Sequence, residues 1–405
     1  MRAFAAAAML LFLQAPDYSE AGRKALEAKD YAGAAEQFRK AVAADPGDYA
    51  AHFHLAFSLS LLGKNAEGVA EYRRVLELKP GLYQAQLNLG ILLVELKQAS
   101  EAVPVLRQAV EQKPAEYRPR YYLAESLLAI GDLKGAEEQY KAALERDAKS
   151  AAAELGLARA QAGQDRLEEA AAHFRKAAEL DPAFRDALLE LASLYEKKNQ
   201  HAEAIALYQQ FPDNVAARER LGQLLLETRR YREALPQLEQ AYAKDPTREN
   251  QLALGTAYLL SQQLDKALPL LEKSVSAEPG NYSIRMMYGR ALRDHKEYLK
   301  AAQQFHESVK LRPDSREAWN ELAGMLYLME RYPQALAALD RSRQLGENTP
   351  ANHYFRAITL DKMHELKPAL ESYQQFLSLS QGKNPDEEFK ARQRVRIIQQ
   401  ELRKR

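Results

Sequence analysis

Histidine is the residue type in this chain best suited to bind a metal or to transfer a proton. The chain has eight histidines and no cysteine, which excludes disulfides, thiolate metal sites and a cysteine nucleophile. His52 and His54 are the closest pair, but residues two apart point to different faces of a helix. The sequence holds no HExxH motif and no carboxylate–histidine cluster. We therefore expect no catalytic residue, no metal and no cofactor.

The charge and length of the chain point to a binding protein with an extended architecture. Lys and Arg total 57 and Asp and Glu 56 in 405 residues, so the formal charge predicts no nucleic-acid partner and no general attraction to an acidic membrane. No serine- or glycine-rich linker separates domains, although the chain is too long for one ordinary core. This combination favours an elongated array, which leaves no stretch of about 100 residues for a catalytic domain.

The first residues resemble an export signal. One positive charge at Met1–Arg2 precedes the apolar segment AFAAAAMLLFL, which is shorter than the roughly 20 residues of a membrane-spanning helix. We expect residues 1–15 to be a signal peptide and the mature protein to be extracytoplasmic, either periplasmic or secreted. The alternative is an alanine-rich helix that caps a cytosolic array. The cleavage site stays open, because Ala15 is a small residue but Leu13 is bulky where a small residue is expected.

A ladder of small residues reveals an internal repeat. Its members, here called the reference residues, are spaced by 34 positions except for intervals of 30 and 33. They are Ala34, Gly68, Ala102, Ala136, Ala170, Ala204, Ala234, Ala267, Ala301, Ala335 and Ala369. The residue twelve positions earlier is always Gly or Ala, the residue four positions later is aromatic or Leu, and a proline commonly stands twelve positions later.

Each repeat is predicted to form two helices that pack through this small-residue seam. The apolar spacing is helical, as in Leu89, Leu92, Leu93 and Leu96, and the proline ends the second helix. Two small residues facing one another let the helix backbones approach closely, and the large residue four positions on fills the space beside them. The prediction is therefore an all-α chain of eleven helical hairpins.

The 34-residue spacing with Leu-Gly/Ala, Ala, an aromatic and Pro resembles the tetratricopeptide repeat over residues 15–383. That resemblance implies a right-handed α-solenoid superhelix of helix-turn-helix repeats, whose first helices line a concave groove for protein or peptide partners. Repeats 1–6 would occupy residues 15–214 and repeats 7–11 residues 215–383. Residues 384–405 are predicted to form a C-terminal capping helix with the apolar stripe Ala391, Val395, Ile398 and Leu402. The single Trp319 falls where this family often carries a large core residue.

The sixth repeat is four residues short. Phe211 stands where the other repeats have a small or apolar residue, and Pro212 follows at once, so the second helix should lose about one turn, or 5–6 Å. One interpretation is a tolerated deletion whose gap Phe211 fills. The other is a built-in kink between two binding segments.

Candidate groove residues lie fifteen and eleven positions before each reference residue, one helical turn apart. The early repeats are apolar or aromatic at these positions and the later ones are mixed. The candidate peptide-groove residues are Phe53, Phe57, Leu87, Ile91, Tyr121, Met286, Arg290, Asn320 and Tyr354. They favour an extended or helical peptide with apolar anchors. The alternative is that some of them pack between neighbouring first helices.

The resulting hypothesis is an exported, non-catalytic scaffold that assembles or organises an envelope complex. Two alternatives stay open. Residues 386–405 hold seven basic and four acidic side chains, a net charge of +3, so the C-terminal helix could dock on an anionic surface or membrane complex. Repeats of about this length also read RNA, but they need polar selectors where Phe53, Leu87 and Ile91 stand. Oligomeric state and partner identity are not encoded in any motif.

Overall fold

The computed structural model describes residues 17–404, which form helices connected by short turns and contain no strand. The predicted signal peptide at residues 1–15 lies outside the described residues. The first helices of the repeats are α1 (Tyr18–Glu27), α3 (Tyr49–Leu61), α5 (Tyr83–Glu95), α7 (Tyr117–Ala129), α9 (Ala151–Gly163), α11 (Ala187–Lys197), α13 (Val215–Glu227), α15 (Arg248–Leu260), α17 (Tyr282–Asp294), α19 (Arg316–Leu328) and α21 (Pro350–Lys362). The second helices are α2 (Tyr31–Ala44), α4 (Asn65–Leu78), α6 (Ala99–Gln112), α8 (Leu133–Leu144), α10 (Leu167–Leu180), α12 (His201–Tyr208), α14 (Tyr231–Lys244), α16 (Leu264–Ala277), α18 (Tyr298–Leu311), α20 (Tyr332–Gln344) and α22 (Leu366–Ser380), and α23 (Pro385–Lys404) closes the chain.

Polar residues in the proline-containing turns begin many of the first helices. The side chain of Asp48 accepts hydrogen bonds from the backbone N–H groups of Ala50 and Ala51, and Ser315 and Asn281 cap α19 and α17 in the same way. Such caps satisfy backbone donors that have no partner inside the helix. The turn sequence therefore both ends one hairpin and starts the next.

The predicted small-residue seam is confirmed. Ala34, Ala102 and Ala335 are fully buried, and consecutive helices pack against one another along the chain. A β-carbon on Gly90 would lie 2.4 Å from Leu106, and one on Gly22 would lie 2.7 Å from Phe38. These partners are the large residues four positions after the reference residue, so the small and large ladders interlock as the sequence predicts.

Every hairpin turns through a residue with left-handed backbone geometry, five positions before the reference residue. Glycine occupies that position only at Gly63 and Gly131, with φ of 71° and 82°. The other nine are Lys29, Lys97, Asp165, Asn199, Arg229, Gln262, Lys296, Glu330 and His364, with φ between 57° and 66°. Left-handed geometry costs a non-glycine residue about 1 kcal/mol, so most hairpins tolerate local strain.

The described residues form two compact units, the first ending at Leu207 and the second beginning at Tyr208; they are called here the N-terminal and C-terminal units. The division falls in the short sixth repeat, where α12 has 8 residues whereas α10 and α14 have 14 each. The predicted loss of helix length is therefore confirmed, and Phe211 is buried. The proposed kink stays a prediction.

The C-terminal helix caps the last hairpin as predicted. Ala391 and Ile398 are fully buried in a cluster with residues of α21 and α22, and Val395 and Leu402 pack against that cluster. Arg394 on the same helix donates to both carboxylate oxygens of Asp361 on α21. Among the described helices none combines the length and apolar character needed to cross a bilayer.

Candidate peptide-binding surfaces

The N-terminal unit presents an apolar stripe on α3. Phe53, Phe57 and Leu61 follow one another at intervals of four residues, which places them on one face of the helix. Phe53 is half-buried and its ring meets the ring of Tyr72 edge-on at 5.5 Å. Phe57 is 38 % exposed and Leu61 43 %. The stripe thus has one end anchored in the core and two side chains open to a partner.

Leu87 and Ile91 on α5 are more buried than expected for side chains that contact a peptide in the groove. Their exposed fractions are only 7 % and 9 %, and both belong to the core cluster of this unit. They act in packing, which is the alternative that the sequence left open. The apolar area that α5 can offer a ligand is small, so α3 carries most of the accessible apolar surface.

Tyr121 on α7 is half-buried within a cluster of aromatic rings. It stacks on Tyr117 at 5.6 Å with an interplanar angle of 14° and meets Tyr140 edge-on at 6.2 Å. Burial raises the pKa of Tyr121, as does the nearby carboxylate of Glu125. The phenol therefore stays neutral and can exchange hydrogen bonds with a peptide backbone at physiological pH.

The first-helix face of the C-terminal unit is ionic. Arg290 on α17 forms ion pairs with Glu317 and Glu321 of α19, and Arg293 donates to Glu321 at 2.7 Å. These arginines are largely neutralised by their partners. Arg290 borders a cavity of about 490 Å³ that also includes Met286, which is only 3 % exposed.

Asn320 and Tyr354 complete the predicted set. Asn320 accepts a hydrogen bond from Asn352 of α21 at 3.4 Å and lines a 480 Å³ cavity that holds three glutamates and one arginine. The Tyr354 ring lies 4.9 Å from that of Phe376 and is half-buried. Neither side chain extends the apolar stripe of the N-terminal unit.

Sequence reasoning missed the glutamates that surround Arg290. Glu317 and Glu321 occupy positions eighteen and fourteen before the reference residue Ala335. Glu321 directly follows the groove position Asn320, and Glu317 lies three residues before it. The available signal was the i, i+4 spacing of the two acids. A spacing rule that follows only two positions per helix cannot detect a charge pair between neighbouring helices.

Three histidines, His52, His173 and His295, form hydrogen bonds with carboxylates. His52 Nδ1 lies 2.6 Å from Glu71, and His173 bonds Glu154. Among residues 17–404, no group of three or more His, Asp or Glu side chains is arranged to hold a metal ion.

Comparison with protein families identifies the repeat. A model described as tetratricopeptide repeat matches six overlapping segments that together span residues 58–282, more than half of the chain. A second tetratricopeptide model matches residues 25–87, and one described as anaphase-promoting complex, cyclosome, subunit 3 matches residues 261–342. Tetratricopeptide repeats generally bind protein partners.

Individual similar proteins cover only parts of the chain. The human protein O-mannosyl-transferase TMTC1 is 27 % identical over 167 residues, which are 39 % of this chain, and the chain spans only about a fifth (19 %) of that protein. Among solved structures, MamA residues 41 to the end from Desulfovibrio magneticus RS-1 is 24 % identical with a TM-score of 0.39, covering 41 % of this chain and 94 % of that one. MamA AMB-1 is 27 % identical with a TM-score of 0.38, covering 40 % and 96 %.

The family follows from the described hairpins and the matched segments together. Helix pairs repeat with the small-large seam from α1 to α22, and the family matches run through the same residues. The chain belongs to the tetratricopeptide repeat family.

Proposed function

We propose that this chain is an exported, non-catalytic scaffold that holds a partner protein by an apolar peptide segment on the first-helix face of the N-terminal unit. The observation that supports this proposal most directly is the α3 stripe, in which Phe57 and Leu61 are exposed beside the anchored Phe53. Exposed aromatic side chains next to rigid neighbours are typical hot spots for peptide recognition. Tyr121 supplies a neutral polar group on the same set of first helices.

Export is the second part of the proposal. It rests on the charged and apolar residues at the start of the sequence, and it places the scaffold with the proteins of the cell envelope. The transferase activity in the name of the human relative is not assigned to this chain, because the chain spans only about a fifth of that protein.

Partner capture tests the binding part. The double variant Phe53→Ala/Phe57→Ala should lose partners recovered by crosslinked pull-down from the native envelope, because both apolar anchors are removed. Leu180→Ala is the matched control, since Leu180 lies in the same unit and is 37 % exposed compared with 38 % for Phe57. Undiminished capture by the double variant, with an unchanged circular dichroism spectrum, would exclude the α3 stripe as the binding surface.

Fractionation of the native producing cells tests export independently. The mature protein should be found outside the cytoplasm, with an N-terminus near residue 16 in its intact mass. A protein that retains Met1 and stays in the cytoplasmic fraction would refute export without affecting the peptide-binding proposal.

The outward face of α23 supports a second candidate function, docking on an anionic surface. Phe389 is 63 % exposed and Ile397 44 %. Between them the sequence has four basic residues and no acidic one, although three acidic residues precede Phe389. Apolar side chains flanked by basic ones favour anionic lipid surfaces. Co-sedimentation with phosphatidylglycerol vesicles should then decline with added salt and with Phe389→Ser, whereas absence of co-sedimentation at low salt would rule this function out.

A further inference from the structure

A polar cross-link joins the two helices of several hairpins at a fixed position, sixteen residues before the reference residue. His52 bonds Glu71, Arg120 donates to Gln139 at 3.1 Å, and Arg285 donates to Gln304 at 2.9 Å. The two partners are nineteen residues apart in each of these pairs. The cross-link covers the apolar interior between the first and second helices with polar atoms.

Trp319 breaks this pattern in the C-terminal unit. It occupies the same position in its repeat, and the residue nineteen positions later is Ala338, which offers no polar side chain. The indole Nε1–H donates to the carbonyl of Pro313 at 2.9 Å, just as Arg285 Nε donates to the carbonyl of Pro279. Trp319 therefore keeps the bond to the preceding turn but lacks the cross-link to the second helix.

The repeat of Trp319 also lacks an ion pair between successive second helices. In the N-terminal unit, Arg39 pairs with Glu67 and Arg73 with Glu101, and each pair bridges two successive second helices across the gap between them. The corresponding residues of α18 and α20 are His306 and Gln334. No hydrogen bond or ion pair between these two side chains is formed within the described part of the chain.

The result is an open apolar groove between α18 and α20, with α19 as its floor, named here the Trp319 groove. Its volume is about 730 Å³, and its apolar lining includes Leu299, Trp319, Leu326 and Met329. Leu299 is 56 % exposed at its rim. A volume in this range is typical of ligand sites, and exposed leucine beside tryptophan is a surface that a partner would stabilise.

The charges of the Trp319 groove favour an acidic occupant. Arg331, Arg341 and His306 belong to its lining, which includes no Asp or Glu. Within residues 17–404 neither arginine forms an ion pair; Arg341 donates to Gln344, another lining residue, at 3.2 Å. In contrast, Arg290 and Arg293 of the same unit are already paired with Glu321. The two groove arginines are therefore available for carboxylates of a ligand.

The shape of the groove favours a helix. Both α18 and α20 pack against α19, so they flank it as two side walls, and a third helix laid between them would pack in the usual way. The α20 wall runs from Arg331 to Gln344, about 20 Å at 1.5 Å per residue. A helix of about 14 residues has that length and can present leucines at i, i+3, i+4 and i+7.

We propose that the Trp319 groove is a second peptide-binding site, which takes an amphipathic helix with apolar anchors and acidic flanks. It lies on different helices from the α3 stripe, so its existence does not depend on the function proposed above. The scaffold would then hold two segments at once, an apolar one in the N-terminal unit and an acidic amphipathic helix in the C-terminal unit.

Trp319 itself reports occupancy because it is the only tryptophan in the chain. The full-length protein would be titrated with a synthetic helical peptide of about 14 residues that carries four leucines at the stated spacing and glutamates elsewhere. We expect a blue shift of the emission and an affinity in the micromolar range that calorimetry reproduces. A matched peptide with lysine in place of glutamate should bind at least about tenfold more weakly, because it faces Arg331 and Arg341.

Two variants test the location. Leu299→Glu places a carboxylate at the rim and should weaken the acidic peptide at least about tenfold, while its exposure in the parent makes it tolerable for folding. Leu328→Glu is the control, since Leu328 is 50 % exposed on α19 and is not among the residues that line the groove. Circular dichroism checks that both variants fold.

Four results would overturn the proposal. They are no binding of the acidic peptide by either method, equal affinity for the lysine peptide, undiminished binding by Leu299→Glu, and equal loss of binding in Leu328→Glu. Dodecanoate serves as a small amphiphile probe; a shift with dodecanoate but not with the peptide would assign the groove to a small ligand and exclude the peptide.

Discussion

The two units use the same hairpin, but α3 of the N-terminal unit and α17 of the C-terminal unit expose different chemistry. In the N-terminal unit Phe57 and Leu61 of α3 are open to solvent, whereas in the C-terminal unit Arg290 and Arg293 of α17 are paired with glutamates of α19. The seam residues are alike in both units, since Ala102 and Ala335 are equally buried. Because the seam holds the hairpins together, the face positions are free to differ. An apolar face and an ionic face can therefore coexist on one scaffold.

Two glycines at comparable helical sites give the largest expected contrast. A β-carbon on Gly156 in the N-terminal unit would lie 2.2 Å from the buried ring of Tyr140, whereas one on Gly324 in the C-terminal unit would meet no atom within 4 Å. Gly156→Ala should therefore lower the free energy of unfolding by about 1–3 kcal/mol. Gly324→Ala should raise it by about 0.5–1 kcal/mol. Denaturant unfolding of both variants checks the signs; two changes of the same sign would contradict this packing.

The ion pairs of Glu321 in the C-terminal unit should stabilise the protein less than their short distances suggest. Glu321 accepts from both Arg290 and Arg293, but the arginines remain about a third exposed. Glu321→Gln should cost about 1 kcal/mol at low salt, and the cost should shrink in 1 M salt because of screening. Glu330→Gln is the control, since Glu330 forms no ion pair among the described residues. If the decrease in the free energy of unfolding does not depend on salt, the substitution disrupts packing rather than ion pairs.

The residue types at the left-handed turns also differ between the two units. Glycine fills two of these turns in the N-terminal unit and none in the C-terminal unit. Lys296→Gly should therefore stabilise the protein by about 0.5–1 kcal/mol, because it removes the strain at φ of 65°. The reverse change, Gly131→Lys, should destabilise it by a similar amount. Thermal unfolding measures both, and a destabilising Lys296→Gly would mean that the lysine side chain contributes more than its backbone costs.

Acid should affect the N-terminal unit through Glu137. Burial alone would raise its pKa, but hydrogen bonds donated by Lys141, Gln164 and Arg166 lower the pKa to about 2. Since the unfolded value is about 4.3, the stabilisation is complete above that pH and is lost as the pH falls towards 2. Glu137→Gln should therefore show a shallower loss of stability between these values. An unchanged acid profile would refute the assignment.

The smallest expected effect concerns the ion pair that bridges second helices in the N-terminal unit. Arg73 and Glu101 are each about half exposed, so Arg73→Ala should cost at most about 1 kcal/mol. Its second consequence is more informative: an apolar gap should open between α4 and α6, as between α18 and α20. A dye such as anilinonaphthalene sulfonate should then bind more strongly to the variant than to Arg74→Ala, whose partner lies on its own helix.

The burial of candidate residues marks the limit of what could be predicted. Phe57 and Ile91 both lie eleven positions before the reference residue of their repeat, yet Phe57 is 38 % exposed and Ile91 is 9 % exposed. Helical spacing assigns a side chain to a face of its own helix, but the neighbouring helices decide whether that face is covered. Neighbouring helices also decide the surroundings of Trp319, which is partly buried against a core cluster that includes Ala338, as the resemblance implies. The same side chain also lines an open groove, because Ala338 offers it no polar cross-link.

By itself, the sequence determined the repeat, the hairpins, the seam and the capping helix. These follow from residue size and period, which act locally and recur in every repeat. Only the tertiary structure decided that Leu87, Ile91 and Met286 are packed, that Arg290 is paired with Glu317 and Glu321, and that α18 and α20 leave a gap. Those outcomes depend on the distance between side chains about 30 residues apart, which is set by how adjacent hairpins pack and not by any spacing along the chain.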